Sequence, residues 1–144
     1  MKYLVASVVA AILLGQAIPP ASSSGGTSSA VTRSFTCAES LAVNQPAYVR
    51  TDGTVALATA ASTATVPAIG FVSSRSGPTT AVVQMSGVLS GFSGLSVGST
   101  YFLATDGGFI TTPPAATGNV VQKIVVAVSA TELAVNPVLD FTVR

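Results

Sequence analysis

Two stretches of this chain, residues 41–60 and residues 95–112, carry the same succession of residue types. Each has a Leu-x-Val opening, a short polar break, a strand-like run with a tyrosine, and then Thr-Asp-Gly before a second apolar run. Asp52 and Asp106, which occupy the same place in the two copies, lie 54 residues apart. Asp-Gly between two apolar runs is a strong hairpin signal, because glycine accepts the positive φ that a tight turn needs. The sequence therefore predicts one hairpin built twice.

The likeness continues downstream of both hairpins. Residues 69–73 (IGFVS) are similar to residues 125–129 (VVAVS), and residues 80–84 (TAVVQ) are similar to residues 131–135 (TELAV). The order of parts is kept while the spacing between them varies. Self-similarity at this distance predicts two related β units packed on one another. The expected units are residues 41–87 and residues 95–137.

From residue 34 onward the chain consists of short runs rich in Val, Ile, Thr and aromatic residues, separated by glycines and prolines. This pattern predicts strands joined by frequent turns, without a helical period. We expect an all-β fold, a small barrel or sandwich of short antiparallel strands built from two similar units. The alanine-rich residues 56–64 fit either a turn of helix or a loop. The predicted strands are residues 35–37, 47–50, 55–58, 68–73, 80–86, 101–104, 109–111, 120–129, 132–135 and 138–143.

The first 18 residues differ in character from the rest. One lysine precedes an apolar run at residues 4–14, and small residues stand at the −3 and −1 positions of a possible cut after Ala17. This is typical of a secretory signal peptide, and the run is short for a membrane span, which needs about 20 residues. The alternative is a retained apolar arm or helix. Residues 19–33, rich in Pro, Gly and Ser, read as a linker to a β domain at residues 34–144.

Charged residues are scarce. They make up 8% of the chain, against about a quarter in an ordinary soluble domain, and the net charge is +1. Little charge repulsion would keep free copies apart, so we expect partners to cover much of the surface. Clustered cations, which nucleic-acid binding requires, are absent from the sequence, and nucleic acid is not an expected partner. The six cations stand singly, at Lys2, Arg33, Arg50, Arg75, Lys123 and Arg144.

One motif suggests catalysis. Residues 94–98 satisfy the G-x-S-x-G pattern of a hydrolase nucleophile, with Ser96 at its centre. The chain has no histidine to take the serine proton, and no helix is predicted after the motif. A serine in a glycine-rich turn explains the pattern better. We therefore expect no catalytic residue and no small-molecule substrate.

Metal and cofactor sites are not expected either. Without histidine and with a single cysteine, Cys37, metal ligands would have to come from five carboxylates that lack calcium-loop spacing. Asp52 and Asp106 already have a role as turn residues. Cys37 is expected to be a small buried residue in a strand. The remaining carboxylates are Glu39, Glu132 and Asp140.

Residues 85–137 contain Gly-Leu-x-x-Gly, a tyrosine-bearing strand, Ile-Thr-Thr-Pro-Pro, Gly-Asn-x-Val-Gln-Lys and Thr-x-Leu-x-Val-Asn-Pro. This succession of motifs resembles a module found in virion proteins of tailed bacteriophages. Residues 41–73 are similar to small capsid cement proteins, through Pro-Ala-Tyr-Val, Asp-Gly and Pro-Ala-Ile-Gly-Phe-Val. The chain departs from this pattern at residues 124–126, where a Val-Gly pair is common, and residues 1–18 are not part of the module.

This resemblance implies a capsid decoration protein on the outer surface of a phage head, which stabilises the assembled capsid without catalysis. Its partners would be the major capsid protein and copies of itself, as a homotrimer. The apolar residues 1–18 would then anchor it. Two alternatives stay open: a head-fibre or tail-fibre adhesin that contacts the host surface, and a secreted bacterial β protein with a cleaved signal peptide.

Overall fold

The computed structural model describes residues 29–37 and 41–144. The predicted arm at residues 1–18, Glu39 and most of the predicted linker lie outside the described residues. The prediction of an all-β fold is confirmed, since the only helical element of the described part is a 3-10 turn at Thr63–Thr65. The strands are β1 (Val31–Thr36), β2 (Pro46–Val49), β3 (Val55–Leu57), β4 (Gly70–Gly77), β5 (Thr80–Ser90), β6 (Thr100–Leu103), β7 (Phe109–Ile110), β8 (Val120–Val121), β9 (Lys123–Ala127), β10 (Glu132–Val135) and β11 (Thr142–Val143).

Five of the ten predicted strands agree within one residue, and β10 has the predicted bounds. The other five differ more. β5 continues through Gly87 to Ser90, the predicted run 120–129 is divided at Gln122, and β1 begins at Val31, inside the stretch assigned to the linker. β4 (Gly70–Gly77) begins and ends later than the predicted run 68–73, and only Thr142–Val143 of the predicted run 138–143 is a strand. β1 has little apolar burial, and its residues are extended because their backbone pairs with β5. Its pairing is thus a tertiary effect that local composition does not reveal.

The main sheet consists of two halves whose strands are arranged in the same pattern when each half is followed inward from its own end. Its order is β3-β2-β4-β5-β10-β9-β6-β7, with β1 paired to β5, while β8 and β11 form a separate two-stranded sheet. Matching β2, β3, β4 and β5 with β6, β7, β9 and β10 makes the two halves identical in connectivity. All strand pairs in these sheets are antiparallel. The similar units expected from the sequence are therefore two four-strand halves that meet at β5 and β10.

The two repeated hairpins have the same turn. In the first, the Arg50 N–H donates to the Thr54 carbonyl (2.8 Å) and the Gly53 N–H donates to the Arg50 carbonyl (3.0 Å). In the second, the equivalent bonds join residues 104 and 108 (3.0 Å) and residues 107 and 104 (3.3 Å). The glycine has a positive φ in both copies, +81° and +87°. Each turn is thus a three-residue loop that ends in a left-handed glycine.

The sheet curls into a half-barrel, which brings its two ends together. The Ala60 N–H, just beyond β3, donates to the Ala104 carbonyl in the second hairpin (2.9 Å), and the Val120 N–H donates to the Ala60 carbonyl (2.8 Å). The side chain of Leu57 lies directly against Gly107. Strands at opposite ends of the order are therefore neighbours in space.

The curled sheet encloses the main core, and a second core lies on the other face of the first half. Neighbouring strand residues point to opposite faces, so Phe71 enters the main core while Val72 enters the second core. Four aromatic rings make edge-to-face contacts in the main core, with centroids 5.4 to 6.3 Å apart. These rings are Phe71, Phe92, Tyr101 and Phe109. The second core contains Cys37, Leu41, Ala47, Val55, Val72, Ala81 and Val83.

Substitution of the two turn glycines tests whether the curled sheet packs its two ends against each other. Gly53→Ala introduces only left-handed strain, about 1–2 kcal/mol, because nothing lies within 4 Å of an added Cβ. Gly107→Ala adds a clash, since its Cβ would lie 2.6 Å from Leu57 Cδ2, and overpacking costs a further ~1–3 kcal/mol. Urea unfolding of both variants should show the larger loss for Gly107→Ala. Equal losses would contradict the close packing of the two ends.

Candidate functional site

An apolar groove with a volume of about 510 Å³ lies above the second core. This volume lies in the range of protein binding pockets, about 300–1,000 Å³. Its lining comes from β1, the first hairpin, the residue before β4, the middle of β5 and the segment after β10, and Arg33 is the one charged residue among them. The groove is lined by Arg33, Phe35, Val49, Gly53, Ile69, Met85, Asn136, Pro137 and Leu139.

One side of the groove is formed by β1. Arg33 and Phe35 stand two residues apart, so they share a face of the strand, and they pair across to Val83 and Ala81 of the second core. The guanidinium carbon of Arg33 lies 5.2 Å from the centroid of the Phe35 ring, within reach of a cation–π contact. Phe35 is only half-buried. The groove is therefore an incompletely covered part of the second core.

The opposite side is the segment that follows β10, residues 136–139. The Asn136 N–H donates to the Ile124 carbonyl (3.4 Å), and the Val138 N–H donates to the Lys123 carbonyl (3.0 Å). The buried Gln122 side chain holds it from beneath, donating from Nε2 to the Val138 carbonyl (2.8 Å). These bonds leave Leu139 at the rim with 59% of its surface exposed.

Gln122 also ties this segment to the first half of the sheet. Its Oε1 accepts from the Ala68 N–H (2.9 Å), and its Nε2 donates to the Ala68 carbonyl (3.0 Å) as well as to Val138. The residue is completely buried, and its amide satisfies three backbone groups. It is therefore a positioning residue for one wall of the groove.

A second apolar surface lies on the outer face of the second half. Val88, Ala134 and Val126 are consecutive cross-strand neighbours on β5, β10 and β9. Val88 is 53% exposed and Val126 is 39% exposed, and Val128 lies two residues further along with 46% exposed. We call Val88, Ala134, Val126 and Val128 the valine row. Val126 and Ala134 also line a hollow of about 270 Å³, which is smaller than the groove and shares Asn136 with it.

Ser96, the centre of the hydrolase-like motif, lies in a turn before β6. Its N–H donates to the Tyr101 hydroxyl (3.0 Å), and its carbonyl accepts from the Ser99 N–H (3.0 Å). The side chain is exposed. These contacts give the residue a role in the turn that leads into β6.

The carboxylates of the described residues are dispersed. Asp52 Oδ1 accepts from the Thr54 N–H (2.9 Å) and Asp106 Oδ1 accepts from the Gly108 N–H (3.1 Å), so both lie in the repeated turns. Glu132 accepts from the Ser129 hydroxyl (3.2 Å), and Asp140 is exposed after β10. The Thr54 hydroxyl, which donates to Asp52 at 2.7 Å, and the Thr54 N–H lower the pKa of Asp52 below its ordinary value.

The cations and the cysteine of the described residues have structural surroundings. Arg75 donates to the carbonyls of Leu41 (2.6 Å), Gly77 and Pro78, which holds the β4–β5 hairpin against the chain entering β2. Lys123 and Arg144 are exposed. Cys37 is a free thiol that is 4% exposed, as predicted, in the second core.

Sequence reasoning did not identify the groove, because its walls come from separate parts of the chain. A partial signal was present for two of its features. Arg33, Phe35 and Cys37 alternate as one face of a strand, and Gln122 is the single polar residue in the run VVQ that precedes an apolar strand. Neither signal shows that these parts meet.

The fold and these surfaces define a small all-β domain with a half-barrel sheet, an apolar groove and an exposed valine row. Comparisons with protein-family models, curated proteins and solved structures find no match to this chain. Among the residues that the structure describes, no group of three or more metal-ligating side chains comes together. Across the same residues, no helix has the length and apolar character that crossing a membrane would require.

Replacing Gln122 tests its positioning role. Gln122→Met deprives three buried backbone groups of their partner, at about 1–3 kcal/mol for each group left unsatisfied. Gln84→Met is a matched control, because Gln84 is 4% exposed and its Nε2 has no partner within the described part of the chain. Urea unfolding should show a loss of several kcal/mol for Gln122→Met and little change for Gln84→Met, at about 1 kcal/mol or less. Similar losses would contradict the role of Gln122.

The Asp52 turn predicts a defined pH dependence. Its pKa is lower in the folded chain than in the unfolded chain, so its contribution to stability is complete above pH of about 4 and is lost as the pH falls through the folded pKa. Thr54→Val removes the hydroxyl donor and should raise the pKa of Asp52 toward its ordinary value. Thr51→Val, in the same turn, is the control. An NMR titration of the Asp52 carboxyl carbon measures this, and an unchanged pKa in Thr54→Val would contradict the assignment.

Proposed function

We propose that this chain is a capsid decoration protein of a tailed bacteriophage, which binds the outer surface of the head and stabilises it without catalysis. The resemblance of residues 41–73 and 85–137 to virion proteins supports this assignment, as does an all-β fold made of two similar halves. Its partners are the major capsid protein and further copies of itself, assembled as a trimer. Neither nucleic acid nor a small-molecule substrate takes part.

The observation that carries the proposal is the valine row. Val88 and Val126 expose 53% and 39% of their surface on one sheet face, and Val128, just beyond β9, exposes 46%, in a chain with only 8% charged residues. Adjacent exposed apolar side chains on a sheet are typical of a surface that meets a partner. A capsid fits such a surface as a partner, because it offers many identical binding sites and each copy of the chain would use the same valines.

The mechanism is binding energy alone. Burying the exposed half of one valine contributes about 1 kcal/mol before ordering costs, so one copy of the row supplies only part of a stable interface. Assembly as a trimer makes the second and third contacts intramolecular and raises the overall affinity. A protein that binds the assembled capsid and not its dissociated subunits stabilises the assembled state by mass action.

The low exposure of the aromatic side chains favours a decoration protein over an adhesin. Adhesins that bind glycans use exposed aromatic rings as stacking platforms. Among the described residues, Phe141 is the most exposed aromatic residue, with 36% of its surface accessible. The other rings are wholly or partly buried, and four of them contact one another in the main core. Their packing role leaves little aromatic surface for a glycan.

Purified virions of the phage that encodes this chain test the proposal. Quantitative mass spectrometry should find the chain in a copy number near that of the major capsid protein, and particles lacking it should lose their DNA at a lower temperature. A few copies per particle would instead indicate a fibre. Absence from the particles would overturn the proposal.

A variant test addresses the valine row itself. Val88→Glu with Val126→Glu should reduce occupancy on decoration-free particles at least about tenfold, because charges would have to be desolvated at the contact. Val143→Glu is the control, since Val143 is 49% exposed but lies on the separate two-stranded sheet. Both proteins should retain the circular dichroism spectrum of the parent. Unchanged occupancy of the double variant would exclude the valine row as the capsid contact.

A further inference from the structure

The groove exposes apolar surface of the second core, and the same chain carries an apolar segment that the described structure does not include. Residues 4–14 (LVASVVAAILL) contain no charged side chain, and Ser7 is their one polar residue. The groove is similarly neutral apart from Arg33, whose guanidinium lies over Phe35. Both surfaces therefore lose unfavourable contact with water when they meet.

The chain between the two is long enough for them to meet. Residues 15–28 separate the apolar segment from the described chain, and these 14 residues span up to about 50 Å when extended. A folded domain of about 100 residues has a radius of gyration of only about 13 Å. The chain enters the described structure at β1, which itself forms one wall of the groove. Tethering at this position gives the segment an effective concentration in the mM range.

We propose that apolar side chains from residues 4–14 of the same chain fill the groove and complete the second core. Phe35, Ile69 and Met85 form the floor that the segment covers, and Val49 and Leu139 form the rims on either side. The occupant is intramolecular, because the tether begins at the groove wall and supplies a local concentration that free copies reach only at mM levels. This inference concerns the free protein and does not rest on the proposed function.

Photocrosslinking identifies the occupant. A benzophenone amino acid in place of Leu139, in the full-length chain, should crosslink to residues 4–14 of the same molecule with a yield that does not change on dilution. The same probe in place of Val97, which is 65% exposed outside the groove, should give no crosslink to these residues. Crosslinks between two copies, or crosslinks only to other segments, would overturn the proposal. An intact mass showing cleavage after Ala17 would also overturn it, because the occupant would be missing.

Hydrogen exchange gives an independent measurement. Val49→Glu with Leu139→Glu places two carboxylates at the rims of the groove, where the native side chains are 42% and 59% exposed, so the β domain should stay folded. Amides of residues 4–14 should then exchange at least about tenfold faster than in the parent, while Val97→Glu leaves them unchanged. Equal exchange in all three proteins would show that the groove does not hold the segment. This assay contains no capsid, so its failure is distinguishable from failure of the decoration proposal.

Discussion

The pairing of β5 with β10 is the interaction on which the rest of the structure depends. β5 is the one strand shared by both halves: residues 80–86 pair with β4 and β1, and residues 87–90 pair with β10. Each half has about 45 residues, and a chain of that size buries too little apolar surface to fold stably alone. Joining the halves through β5 places Leu89 opposite Leu133 and creates a common core. The aromatic contacts of that core therefore follow from a shared strand.

Few residues of this chain are charged, and hydrogen bonds from a few side chains to backbone groups connect its segments. Gln122 joins Ala68 of the first half to Val138 beyond β10, at a position with no exposed surface. A buried amide with all its partners stabilises one arrangement of neighbouring segments, since any displacement leaves polar groups unsatisfied. Arg75 acts in the same way at the other end of the first half, where it donates to three backbone carbonyls. Gln122 thus aligns the two halves, and Arg75 fixes segments within the first half.

What the sequence predicts well is what short-range chemistry determines. The Asp-Gly pairs at residues 52–53 and 106–107 specify their turns locally, and both turns form with the same hydrogen bonds. The first four residues of β1 and the extension of β5 from Gly87 were not predicted, because their backbone partners are distant in the chain. The groove was missed for the same reason, as it exists only when β1, the first hairpin and residues 136–139 meet. Local composition does not show which distant segments of the chain come into contact.

The two apolar surfaces differ in size and in the strands that form them. The groove has a volume of about 510 Å³, whereas Val126 and Ala134 of the valine row line a smaller hollow of about 270 Å³ on the sheet face. They also differ in position, because the row is on the outer face of the second half and the groove covers the second core of the first half. A segment of the chain in the groove would therefore leave the row free. One small domain can in this way close its own core and still present an apolar face to another protein.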